Sequence, residues 1–310
     1  MQLNKRSQQQ ILSNLGITYN NQCLQAENKT MTDQASSQQN NYHLAQINIA
    51  KMKAPLNDPI MAEFANALDE VNLVAEKSPG FIWRLQTESG NATELQAYSD
   101  PKILVNISLW QSVEQLKTYV YQSLHSNFFV RRRKWFEKYQ NEHFAMWWVQ
   151  AGHLPTIEEG KAKLEYLELH GDTPECFTFA EPYAPSELGK YLIEQYISAY
   201  NTFDIDGMMC LLHPEIKFQN ISQGEVNAKA NGASEFRAMA EQSKALFKSR
   251  KQTISRCDVS QNEASVEIIY ERILAQDLPN GIKSGSTINL NGRSQFSFKD
   301  GKIWRIVDIS

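Results

Sequence analysis

Between residues 42 and 49, Tyr42, Leu44, Gln46 and Asn48 alternate with His43, Ala45, Ile47 and Ile49. Side chains of a strand point alternately to two faces, and apolar residues on both faces predict a central strand covered on both sides. Asp58-Pro59 supplies a cap and a first-turn proline, after which Met61, Phe64, Leu68, Val71 and Ala75 recur at helical spacing up to Pro79-Gly80. Residues 81–86 and 103–110 read as strands. The turn Glu88-Ser89-Gly90-Asn91 between them predicts an antiparallel pair. Ser112 and Gln115 open a helix in the manner of a capping box, carrying Val113, Leu116, Val120 and Leu124 and running on through Phe128, Phe129, Trp135 and Phe136. Residues 144–150 form a fourth strand, followed by a helix from Pro155 to about His170 and an edge strand at 176–179.

Pro182 and Pro185 bracket a linker at 183–187. Beyond it Leu188, Tyr191, Leu192, Tyr196 and Tyr200 form a helical stripe, and residues 205–212 a second helix. A short strand at 216–220 leads to a helix over about 234–247. Strands follow at 252–259, 264–275, 287–298 and 303–309, separated by turns such as Lys299-Asp300-Gly301. The expected fold is therefore α+β in two modules. Residues 42–183 follow the βαββαβ order of a ferredoxin-like unit. In residues 187–310 helices precede a long antiparallel meander, which suggests a sheet wrapped around helices with a cone-shaped pocket inside.

With 310 residues, 42% of them hydrophobic and 21% charged, the chain has the composition of a globular protein long enough for two cores. Its net charge of -4 offers no general attraction for nucleic acid or an anionic membrane. The basic run Arg131-Arg132-Arg133-Lys134, flanked by Phe129, Trp135 and Phe136, reads as the charged face of an amphipathic helix. Cys23, Cys176, Cys210 and Cys257 are too far apart for a CxxC site, so neither structural zinc nor a disulfide framework is expected. No apolar run reaches the length of a membrane span and no signal peptide is visible, which makes the cytoplasm the expected compartment. Residues 1–41, rich in Gln, Asn and Ser, read as a disordered tail, and Met31 within it is an alternative start.

Residues 42–183 resemble the bacterial domain-of-unknown-function family 3291. The carrying residues include Tyr42-His43-Leu44-Ala45-Gln46, Gly80-Phe81-Ile82-Trp83-Arg84-Leu85, Ser108-Leu109-Trp110, Trp147-Trp148-Val149 and Ala151-Gly152-His153-Leu154-Pro155. That resemblance implies a dimeric α/β barrel, in which the ferredoxin-like sheets of a homodimer face each other. Residues 187–310 resemble the SnoaL-like branch of the nuclear-transport-factor-2-like superfamily. Tyr200-Asn201-Thr202-Phe203-Asp204-Ile205-Asp206-Gly207-Met208 and Gly301-Lys302-Ile303-Trp304-Arg305-Ile306-Val307-Asp308 carry it. This second resemblance implies a small-molecule pocket of the kind found in polyketide cyclases, isomerases, hydrolases and silent binders.

In the first module His125 lies seven residues before Arg132, and a haem iron bound by His125 with a propionate on Arg132 is one cofactor reading. The segment is also similar to spheroidene-monooxygenase-like haem proteins. A histidine that closes a helix break is the alternative. Cofactor-free oxygenase chemistry would use an aromatic-lined barrel containing Trp83, Trp110, Trp147 and Trp148, with Tyr121 and His153 also facing substrate; the alternative is that these rings are core. In the second module an isomerase- or cyclase-like mechanism needs a buried carboxylate. Asp308 is the candidate, with Asn220, Tyr270, Arg272 and Ser294 as neighbours, whereas Asp204 and Asp206 read as helix caps. No phosphate loop, HExxH, GxSxG or dinucleotide fingerprint is present. Two functions stay open. One is binding or transformation of an apolar or aromatic small molecule, with monooxygenase-like chemistry in the first module; the other is a non-catalytic dimeric ligand-binding or scaffolding protein.

Overall fold

The computed structural model describes residues 42–123, 125–139, 141–260, 262–277 and 281–310. The expected tail at 1–41, with Met31 and Cys23, lies outside the described residues. Strand β1 (Tyr42–Lys51) pairs antiparallel with both β3 (Ile103–Trp110) and β4 (Phe144–Gln150), and β2 (Phe81–Arg84) extends the sheet beyond β3. The order is β2-β3-β1-β4. As the two-sided apolar pattern requires, Leu44, Ala45 and Ile47 are all fully buried on the central strand.

Tyr42, Leu44, Trp110, Met146 and Trp148 pack on one side with Ala75 of α1 (Ala62–Glu76) and Val113 and Leu116 of α2 (Val113–Gln122). Asp58 caps the turn leading into α1, accepting a hydrogen bond from the Ile60 amide at 2.9 Å. The long helix expected after Ser112 is broken. The Ser123 hydroxyl donates to the Tyr119 carbonyl (2.6 Å) and accepts from the His125 amide (3.1 Å), taking backbone groups that a continuous helix would use. A separate short helix α3 (His125–Arg131) and a 3-10 turn (Arg132–Lys134) follow.

The other side of the sheet is covered by α4 (Ile157–His170), whose Leu164 and Leu167 pack with Ala45, Ile47, Ile107, Leu109 and Trp147. Gly160 lets the helix sit directly on the strands: a Cβ there would lie 2.7 Å from Ile47 Cδ1. A barrel shared by two facing sheets needs this side open, and here α4 of the same chain fills it. The strand expected at 176–179 is reduced to two isolated bridges, Phe177 to Met146 and Cys176 to Thr173. In the basic run, Arg131 and Lys134 both pair with Glu63, while Arg132 lies over the Phe129 ring.

Helix α5 (Pro185–Asn201) starts at the expected linker with proline in its first turn. It is followed by α6 (Ile205–Leu211), β5 (Leu212–Ser222), β6 (Glu225–Asn231), α7 (Ala233–Lys244), β7 (Phe247–Ser260), β8 (Glu263–Leu274), β9 (Thr287–Lys299) and β10 (Lys302–Ile309). The six-stranded sheet runs β6-β5-β10-β9-β8-β7; β5 and β10 are parallel and every other neighbouring pair is antiparallel. Leu188, Leu192, Ile193, Tyr196 and Ile197 of α5 bury against Val266, Ile268, Phe296, Phe298 and Ile306. Asp204 caps α6 as expected, accepting from the Gly207 amide at 2.8 Å, but Asp206 instead pairs with Arg237 at 2.7 Å.

The chain from Tyr42 onward packs as one unit. Tyr42 Oη donates to Asn262 Oδ1 (2.6 Å), Tyr166 and Tyr191 join hydroxyls (3.0 Å), and Trp148 Nε1 donates to the Tyr183 carbonyl (2.8 Å). Among the described residues no helix is long and apolar enough to cross a membrane. Gly160→Val should lift α4 from the sheet and lower stability by about 1–3 kcal/mol, the usual range for overpacking. Urea unfolding followed by tryptophan fluorescence would measure it, and an unchanged midpoint would contradict this packing.

Candidate functional site

The polar cluster of the second domain starts where α5 meets β7. Asn201 pins the helix end to the strand: its Nδ2 donates to the Gln252 carbonyl (2.9 Å) and its Oδ1 accepts from the Gln252 amide (2.6 Å). This fixes Tyr200 and Phe203 on either side of Arg250, with the guanidinium 3.7 Å and 4.3 Å from the two ring centroids. Arg250 Nε donates to the Tyr200 carbonyl at 2.7 Å. Phe203 has φ of 59°, a left-handed backbone that a bulky residue adopts only under constraint.

Arg250 and Arg272 are register partners on β7 and β8, so their side chains leave the same face of the sheet. Arg272 lies against Phe247 and Tyr270, at 5.2 and 5.6 Å from their centroids. On the next strands Ser294 and Asp308 are also register partners, and Ser294 Oγ donates to Asp308 Oδ1 at 2.5 Å. The Tyr270 ring reaches across Gly292: a Cβ at that position would meet Tyr270 Cε2 at 3.3 Å. Tyr196, Arg250, Gln252 and Ser294 are buried, while Tyr200, Tyr270, Arg272 and Asp308 are half-buried.

Burial pushes the Asp308 carboxyl up to about 6, against the opposing pull of the Ser294 hydroxyl and the Arg272 charge. Burial likewise raises the phenols of Tyr196 and Tyr270, with Asp308 adding to both; that of Tyr200 is raised by burial and held back by the two arginines. The phenols are therefore neutral donors at ordinary pH. The cluster combines a carboxyl able to exchange a proton near neutrality, neutral hydroxyls and two cations.

The sequence candidates Asp308, Ser294, Tyr270 and Arg272 come together here. Asn220 is the ladder neighbour of Asp308, but its amide donates to Asn227 at 2.8 Å. Arg250, Gln252, Tyr196 and Tyr200 were not singled out as site residues. Gln252 lies on the strand expected at 252–259, whereas the polar run at 248–251 hides Arg250. The outer face of the same sheet carries an open groove of about 500 Å3, lined by Ser255, Glu267, Ile269, Asn291, Arg293 and Ile309, which includes none of these groups.

The candidates of the first domain are not gathered round one pocket. Trp110 and Trp148 pack on the α1 and α2 side of the sheet, Trp83 on the α4 side, and Tyr121 is exposed. The indole nitrogens of Trp110, Trp147 and Trp148 donate to Ser108, Glu159 and the Tyr183 carbonyl, as core tryptophans do. The His125 ring lies against Tyr119 and Phe129 with Nδ1 on the Val120 carbonyl at 3.2 Å, and burial lowers its pKa. Arg132 donates to the Phe129 carbonyl at 2.8 Å. Both side chains thus take part in holding the helix break, His125 through Nδ1 and Arg132 through the Phe129 carbonyl. His153 Nε2 meets Glu159 Oε2 at 2.7 Å, which ties the turn after β4 to α4. Among the described residues no group of His, Cys, Asp or Glu could hold a metal ion.

The second domain is thus an α+β domain whose helices cover one face of a six-stranded sheet, with this cluster on that face. The SnoaL-like domain family matches residues 193–306, and the domain of unknown function DUF3291 matches residues 43–191. The chain therefore carries a DUF3291 domain followed by a SnoaL-like domain, in the order its sequence suggested, and the family boundary falls inside α5. Among solved structures, the chain is similar to a candidate polyketide cyclase from Xanthomonas campestris pv. campestris, at 18% identity over 41% of this chain and 93% of that one, with a TM-score of 0.35. A second candidate polyketide cyclase, from Pseudomonas putida, has 21% identity over 41% and 91%, with a TM-score of 0.33. A cystatin-fold protein from Novosphingobium aromaticivorans has 17% identity over 42% and 100%, with a TM-score of 0.34. No curated protein matches the chain.

Because the folded-state pKa of Asp308 is raised, the folded chain holds its proton more tightly than the unfolded one, and stability falls as pH rises from about 4 through about 6. Asp308→Asn removes that penalty. Its melting temperature should exceed that of the parent at pH 8, and the difference should shrink towards pH 4. Melting curves across this range would show it, and a pH-independent difference would contradict the assignment.

Proposed function

We propose that the SnoaL-like domain binds an apolar, aromatic small molecule and moves a proton on it, with Asp308 as the base and then the conjugate acid. The observation that supports this most is a carboxyl near pKa 6, bonded to Ser294 Oγ and surrounded by phenols and guanidinium groups. Above that pH the carboxylate accepts a proton from a carbon next to a carbonyl. The C–H electron pair moves into an enolate, whose oxygen is stabilised by neutral phenol donors or an arginine. Asp308 returns the proton to the same or a neighbouring carbon, so the net change is isomerisation or exchange without a redox partner. The enolate carbon can instead attack a second carbonyl of the same molecule, whose oxygen then takes the proton from Asp308, so that a ring closes with no net loss or gain of atoms.

We read the first domain as a ferredoxin-like unit. Its βαββαβ order and its antiparallel β2-β3-β1-β4 sheet support that reading. Monooxygenase-like chemistry there has less support, because its tryptophans are bonded within the core and α4 covers the sheet face that would line a barrel. Its role in this reading is to brace the second domain through the Tyr42 and Tyr166 contacts.

Deuterium exchange at the α-carbons of 2-tetralone, followed by proton NMR with the full chain in D2O, tests the proposal. Exchange should be faster than in buffer, rise through a pH near 6, and fall about 100-fold or more in Asp308→Asn. Exchange at the buffer rate, or unchanged in the variant, would count against it.

A further inference from the structure

We propose that Arg250 and Arg272 form a carboxylate subsite, so that the ligand of this polar cluster is an aromatic acid. The inference rests on the reading above that this domain takes an aromatic small molecule. Arg250 is only 5% exposed, yet its Nη2 has no hydrogen-bond partner, and the Nε of Arg272 is also buried without one. Among the described residues neither arginine has a carboxylate within ion-pair distance. Buried arginines are ordinarily paired, and two like charges directly opposite on neighbouring strands repel. The protein nevertheless holds them together. Tyr200 and Phe203 sandwich one, Phe247 and Tyr270 flank the other, and the Phe203 backbone is strained at the position that presents its ring to Arg250.

One unfilled donor on each guanidinium suits an acceptor with two oxygens in a plane, each oxygen taking one hydrogen bond. A carboxylate supplies that with a single charge. A phosphate monoester brings nearly two charges into a half-buried site, where the second charge adds a desolvation cost that a carboxylate avoids. The four aromatic rings around the guanidinium groups favour a flat, apolar remainder for the ligand. Asp308, near enough to Arg272 to feel its charge, lies beside this subsite rather than in it, so the acid group and the reacting carbon of the ligand would be held at separate points.

Calorimetric titration of the full chain with 2-naphthoate and with the neutral 2-naphthalenemethanol tests the subsite. Naphthoate should bind about tenfold or more tightly than the alcohol, as expected for a charge-assisted pair. Arg272→Met should abolish that preference while leaving alcohol binding in place. Arg250→Met should do the same, but its ring contacts make Arg272→Met the safer variant, and circular dichroism establishes that it is folded. Equal affinity for the two probes would overturn the proposal, as would a preference that survives in folded Arg272→Met. Inorganic phosphate binding as tightly as naphthoate would overturn the carboxylate assignment. Asp308→Asn should keep or strengthen the naphthoate preference. Failure of tetralone exchange with that preference intact would therefore remove the proton-transfer reading and leave the subsite standing.

Discussion

A strand presents every second side chain to the same face, and the SnoaL-like domain depends on four neighbouring strands keeping that count in step. The register that opposes Arg250 to Arg272 and Ser294 to Asp308 also brings Val266, Ile268, Phe296, Phe298 and Ile306 onto the helices. One face is thus oily along part of its length and polar along the rest. A slip of one residue in any of these strands would expose the core and scatter the polar cluster together. Folding stability and the assembly of the site are set by the same ladder.

The polar part of that face is electrostatically unusual. A lone buried carboxylate and buried cations each lose hydration, and such groups commonly settle by pairing directly. Here Asp308 turns to a neutral hydroxyl, and the arginines turn to aromatic faces and a backbone carbonyl. The carboxyl is left with a raised pKa and the guanidinium groups with spare donors. Direct ion pairing would have removed both properties.

Much of this could be read from the sequence. The apolar residues on both faces of residues 42–49 announced the central strand, and alternation from Tyr270 to Arg272, with Ser294 and Asp308 on later strands, announced one shared face. Other parts were hidden for physical reasons. Residues 248–251 are Lys, Ser, Arg and Lys, so the pattern starts the strand at 252 and leaves Arg250 outside it. A bulge between Ile254 and Arg256 then breaks the count further along. Strand β6, with Asn, Ala and Lys where β-branched residues are usual, has little strand character of its own and is held as an edge by pairing with β5. In the first domain, the break at Ser123 depends on where a hydroxyl points, which hydrophobic periodicity does not record. His125 follows from that break, and its Nδ1 contact with the Val120 carbonyl is equally invisible in the sequence.

Gly292 has a different kind of importance. Because it lacks a side chain, the Tyr270 ring can lean across the sheet towards Ser294, in contact with the space a methyl group would take. Residue 292 therefore sets where the Tyr270 ring lies without touching the titratable groups. A side chain there would meet that ring and the Ile309 carbonyl, so the ring would have to shift while the acid, its hydroxyl partner and both arginines stay chemically unaltered. Substitution at 292 would thus move one wall of the polar cluster while leaving all of its charges in place.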